Sequence, residues 1–245
     1  PPVRETWEGL VRAAEVQRQS TGGSAAVSVG ALSTALAGRT AGLRVTGHVA
    51  YDSEEGEWVA AEEGLYLPGQ RVVQVACSTT EDGEMHLAAV TGDGMLHVMG
   101  NNFYGQLGLG DRATQTSLQP VTALAGKRVV QVSAGDFHTV AVTAEGDAFT
   151  WGRGGRGRLG HGTEDGELLP RRVLGALEHE RVVHVVASDD HTAVVTASGK
   201  LFTFGSNFGC KLGLGEEEEH RQRVPREAVG LAGVRVVSAA AGERF

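Results

Sequence analysis

The chain is poor in cysteine, with only Cys77 and Cys210 among its 245 residues. They form no CxxC pair and no disulfide framework, and they point to a reduced, intracellular setting, cytoplasmic or nuclear. No apolar run is long enough to span a bilayer and no signal peptide is evident, so no membrane is expected. No long basic stretch is present, and the net charge is -8. Direct nucleic-acid binding is therefore not expected, because neutralising phosphates needs clustered cations. No HExxH, P-loop or GxSxG is present. His191 stands beside Asp189 and Asp190, but adjacency in sequence is not a relay, and no serine or cysteine nucleophile motif accompanies it. No enzyme activity, cofactor or metal is expected.

Proline is scarce at six residues, whereas glycine reaches 36. A glycine inside a helix is about 1 kcal/mol worse than alanine, so this composition suits a fold of many tight turns. The hydrophobic fraction of 41% supports a sizeable core.

The chain repeats itself, and repeats decide the fold before any local reading does. Four segments open alike: Arg71-Val72-Val73-Gln74, Arg128-Val129-Val130-Gln131, Arg181-Val182-Val183-His184 and Arg235-Val236-Val237-Ser238. The arginines are 57, 53 and 54 residues apart. His86, His138 and His191 each open an apolar stretch, and a second apolar run then closes on Gly100, Gly152 and Gly205. A leucine-glycine signature follows each time, around Leu107, Leu159 and Leu212. The one long spacing comes from a polar insert near 79–84 that contains Glu81, Asp82 and Glu84. A degenerate first unit spans 27–70, with units at 71–127, 128–180 and 181–234 and the start of another at 235–245.

The local patterns read as strands. Residues 129–133, 182–186 and 138–143 are short and apolar, and 143–147 reads as a tight hairpin turn. Segments around Pro120-Val121 and Arg172-Val173 supply an outer strand, where a proline is tolerated at a sheet edge. About four antiparallel strands per repeat follow. A single such sheet cannot cover both of its faces, but sheets packed radially cover one another. The valine pairs, read as continuous apolar runs, fit sheets covered on both sides. The fold class is therefore all-β, a β-propeller of about four to four and a half blades. Residues 1–26 differ: Trp7, Leu10, Val11 and Ala14 have helical spacing, and a linker-like 20–24 follows.

Several residues carry two readings. The histidines at 86, 138 and 191 are either metal ligands near the axis or structural groups bonding between blades. Equivalent positions in a ring stand far apart, which favours the structural reading. Gly155-Arg156-Gly157-Arg158-Leu159-Gly160 matches a dinucleotide fingerprint, but the same place in the other repeats is a blade turn, and Pro170 argues against the helix that the fingerprint needs. Arg153, Arg156 and Arg158 form a cationic patch, either a solvated loop or a contact for an acidic partner or phosphate. The acidic run 216–219 and the insert with Glu81, Asp82 and Glu84 are wet loops or contact sites.

Residues 132–143, followed by Trp151-Gly152 and 157–162, resemble a repeat of the regulator-of-chromosome-condensation family. The likeness is good over 71–244 and weak over 28–70. It implies a seven-bladed propeller, so four units suggest a partial chain or a ring closed with a partner. Cys210 departs from the pattern by standing where Gly105 and Gly157 stand. The arginine-tryptophan arrangement of the light-sensing members is not visible. The resemblance implies a noncatalytic scaffold that binds protein partners through its loops. The alternatives it offers are nucleotide exchange on a Ran-like small GTPase and an accessory region of a larger ubiquitin ligase.

Overall fold

The computed structural model describes residues 48–52, 57–60, 70–79, 85–215, 220–231 and 233–242. The expected N-terminal helix, the acidic residues Glu81, Asp82 and Glu84, and the run 216–219 lie outside them. Among the described residues the chain is all-β. A hairpin of β1 (His48–Asp52) and β2 (Glu57–Ala60) precedes three four-stranded antiparallel sheets.

The first sheet holds β3 (Val72–Thr79), β4 (Met85–Thr91), β5 (Leu96–Gly100) and β6 (Gln115–Pro120). The second holds β7 (Val129–Ala134), β8 (His138–Thr143), β9 (Ala148–Gly152) and β10 (Glu167–Arg172). The third holds β11 (Val182–Ala187), β12 (His191–Thr196), β13 (Leu201–Ser206) and β14 (Arg221–Glu227). In each the strands are hydrogen-bonded in sequence order. The two middle strands are almost wholly buried because a sheet, the β1–β2 hairpin or, on the third sheet, the segment 235–242 packs on each flank. Pro120, Pro170 and Pro225 all fall in outer strands, where a missing N–H breaks no inner ladder. The outer strands end at Pro120 and Arg172. Val121 and Val173 turn inward instead and are buried in the cores between sheets.

The arginine-valine-valine opening differs in detail from a continuous buried run. The register shifts between Val72 and Gln74, between Val129 and Gln131 and between Val182 and His184. The middle residue bulges out of the ladder, so Val73, Val130 and Val183 are 39%, 45% and 45% exposed.

Repeated chemistry joins the sheets. The amides of Val129, Val182 and Val236 donate to the hairpin carbonyls of Gly94, Gly146 and Gly199 in the sheet before, each at 2.9 Å. The opening arginines 128, 181 and 235 donate to the same hairpins at the carbonyls of Gly92, Ala144 and Ala197. Gln74 makes a two-way bridge with the backbone of Val132, and Gln131 does the same with Val185. Residues 235–242 continue this series on the third sheet: His184 bonds the carbonyl of Ala239, and Ser188 that of Gly242. Apolar cores fill the junctions, with Trp151 and Leu107 in the first and Phe204 and Val185 in the second.

The closing glycines have a steric cause. Gly100, Gly152 and Gly205 have φ of 103°, 104° and 115°. A Cβ there would meet the carbonyl oxygen of Met85, Phe137 or Asp190 at 2.3–2.5 Å, so no other residue fits without backbone movement.

Candidate protein-interaction surface

Antiparallel order puts the first-to-second strand turn and the third-to-fourth strand loop of each sheet at one end. The hairpins and the links between sheets lie at the other. The leucine-glycine signature belongs to the loop end. It reaches from each sheet over the next: Gly110 donates its amide to Leu168 and Gly162 to Arg223. Leu107, Leu159 and Leu212 are buried beneath these loops. The Trp151 indole N–H donates to the Gln106 carbonyl at 2.9 Å, tying the first loop to the second sheet.

The repeated histidines lie under this end. His86 Nε2 is 2.9 Å from Thr139 Oγ1, and His138 Nε2 is 2.8 Å from Thr192 Oγ1. Each threonine hydroxyl gives its single proton to a carbonyl, Thr139 to Gln106 and Thr192 to Arg158. The imidazole must therefore donate, which fixes the neutral Nε2–H tautomer. Burial pushes His86 down to about 4. Burial, and then the Arg158 charge, push His138 well below the ordinary histidine value. His86 and His138 are thus inter-sheet struts, each to a different neighbouring sheet, whereas no such bond is made by His191 among the described residues.

Above them the structure splits the arginine triad. Arg158 is 2% exposed. It donates through Nε to the Gly155 carbonyl and through Nη1 to that of Asp189, and it lies 5.8 Å from the Phe137 ring centroid. Burial lowers its pKa to about 10, opposed by the Asp189 charge and assisted by Arg153. Arg156, at φ 65°, is half exposed and pairs with Asp190 at 2.6 Å. Arg153 is exposed and lies over Tyr104 and Phe137.

Asp190 lies between loops of two sheets. It binds Arg156 from the second and Lys211, at 2.5 Å, from the third. Burial opposes its ionisation, but the hydrogen bonds it accepts hold the carboxyl well below the usual range. The His191 Nδ1 contact, at 3.5 Å, is too long for a full share of this. Asp190, Lys211, Tyr104, Phe137 and the exposed Phe103 were not singled out as site residues in the sequence. Their only signal there was aromatic residues in glycine-rich loops. Among the described residues no group of three His, Cys, Asp or Glu side chains could hold a metal ion, and no helix is long and apolar enough to cross a membrane.

The model of the "Regulator of chromosome condensation (RCC1) repeat" matches residues 93–142, 145–195 and 198–245, more than half of the chain. The chain belongs to this repeat family. Its units start near the hairpin turns, and the first two run from the third strand of one sheet into the second strand of the next. Across 154 residues the chain is 40% identical to the Arabidopsis thaliana ultraviolet-B receptor UVR8, covering 63% of this chain and 34% of that protein. It is 36% identical over 179 residues to the human probable E3 ubiquitin-protein ligase HERC3, covering 73% of this chain and 16% of that one. The chain thus spans about a third of one of these relatives and about a sixth of the other. Human WBSCR16 superposes with a TM-score of 0.64 at 25% identity, over 80% of this chain and 50% of that one. Yeast RCC1 (Prp20), solved with Kap60, superposes at 0.62 with 18% identity, over 80% and 47%. Both likenesses support an RCC1-type propeller fold.

Proposed function

We propose that this RCC1-repeat propeller is a noncatalytic scaffold that binds protein partners through the loop end of its sheets. The carrying observation is the combination there of exposed aromatics, exposed guanidinium groups and a rigid base of inter-sheet bonds. Phe103 is 64% and Phe208 78% exposed, whereas the groups beneath them are buried and paired. Aromatic and arginine side chains on a fixed support are what protein interfaces favour. The titratable groups supporting the surface are already committed: Asp190 to two cations, and His86 and His138 to threonines. These commitments support binding without chemistry.

Of the relatives, the HERC proteins are named as ubiquitin ligases, so an accessory region of a larger ligase is the second reading. Nucleotide exchange on a small GTPase has less support, since the likeness to yeast RCC1 is one of fold.

The test is a photo-crosslinking scan. A benzophenone amino acid is placed at 103, 153 or 208 at the loop end, and at 95, 174 or 198 at the hairpin end. Discrete protein adducts from the first set alone are expected in extracts. The same adducts from both ends, or none from the loop end, would sink the proposal.

A further inference from the structure

The guanidinium of Arg153 lies over two aromatic rings. Its Cζ lies 4.9 Å from the Tyr104 ring centroid and 5.1 Å from that of Phe137. Among the described residues it makes no ion pair, unlike its neighbours Arg156 and Arg158. Tyr104 meets both Phe103 and Phe137 edge-on at 5.3 Å, which extends the ladder outward to the solvent-facing Phe103 ring. A guanidinium packed against two rings has less freedom than a solvated one, so binding an oxyanion orders little more of the side chain.

The surrounding charges leave this fork unmatched. Asp190 already serves both Arg156 and Lys211. Asp189 faces the buried Arg158. Asp136, beside Phe137, accepts a hydrogen bond from Ser78 at 3.1 Å. Glu164 and Asp165 stand on the loop beside Gly154, but among the described residues none of these carboxylates pairs with Arg153, which is left as an exposed cation with an apolar ring nearby.

We propose that Arg153 and Phe103 form a two-point site for an acidic segment of a protein partner in which a Glu or Asp neighbours an apolar side chain. The carboxylate takes the free N–H edge of Arg153 in a bidentate pair, and the apolar side chain packs on Phe103. A polyanion such as nucleic acid fits less well. It needs a row of accessible cations, and here Arg158 is buried and Arg156 is engaged. The inference rests on the scaffold reading and adds to it the chemistry of the partner.

The probe is a fluorescein-labelled twelve-residue peptide of alternating Glu and Phe or Leu, followed by anisotropy at low salt. Saturable binding to the wild-type chain is expected. R153A should weaken it about tenfold or more, and R153K several-fold, because lysine keeps the charge but loses the fork. F103S should weaken it comparably, and a Glu→Gln version of the peptide should not bind. R172A, in an outer strand, should leave affinity unchanged. Thermal unfolding of each variant confirms that the exposed positions 103 and 153 leave the fold intact. No saturable binding to the wild type, equal affinity in R153A, or equal affinity for an oligothymidylate of matched charge would each overturn the site. If R153A and F103S leave the loop-end crosslinks of the scan unchanged, the scaffold reading survives and this site does not.

Discussion

Replacing His138 by alanine should loosen the junction between the second and third sheets. The ring is fully buried and donates to Thr192, which in turn holds the Arg158 carbonyl. Removing it forfeits a buried hydrogen bond, about 1 kcal/mol. It also leaves a cavity where the surrounding strands cannot collapse, which brings the total to about 2–4 kcal/mol. Thr192→Val keeps the shape but strands the His138 N–H and the Arg158 carbonyl, at about 1–3 kcal/mol for each unpaired group. Because each single substitution breaks the same relay, the double variant should be less destabilised than the sum by about 1 kcal/mol. Urea unfolding followed by fluorescence of the buried Trp151 reads all three. His179→Ala, at an exposed position, is the control and should change stability by less than about 0.5 kcal/mol. A loss below about 1 kcal/mol in H138A, or strict additivity in the cycle, would refute the strut assignment.

Other outcomes follow from the same contacts. In the unfolded chain His86 takes up a proton near 6.5, but in the folded chain not until about 4. Stability should be full above the unfolded value and fall as pH drops through this window, with His86 alone contributing about 3 kcal/mol by its end; urea titrations at stepped pH check this. Cys210, at φ 59°, carries strain that glycine avoids, so C210G should raise the melting temperature by a few degrees, by about 1 kcal/mol in stability. By contrast G157A should destabilise, because its Cβ would lie 2.7 Å from the Gln222 carbonyl oxygen and 2.8 Å from the Arg223 Cα. Asp190→Asn leaves the buried Lys211 ammonium without its carboxylate and should lose about 3 kcal/mol in a denaturation experiment.

The architecture was legible in the sequence because each junction reuses the same residues. The opening arginine, the histidine, the closing glycine and the buried leucine recur because each does the same steric or hydrogen-bonding task at every sheet. Strand β8 begins at His138 and ends at Thr143 as read from the sequence alone. Bulging of the middle valines was not legible, since a register shift leaves composition unchanged. The depth of Arg158 was hidden too. Three arginines within six positions look like a wet loop, and only the fold places one of them under Phe137 with a backbone carbonyl as its partner. Pairing of Asp190 with Lys211 crosses 21 positions with no marker in either neighbourhood.

The most direct test of sheets bonded flank to flank beneath a fixed loop end is amide hydrogen exchange at Val129 and Val182. Their N–H groups are committed to the hairpin carbonyls of Gly94 and Gly146 in the preceding sheets. Protection matching that of the central strands β8 and β12 is predicted at both. Exchange at the rate of an exposed loop would contradict the packing on which the proposed surface depends.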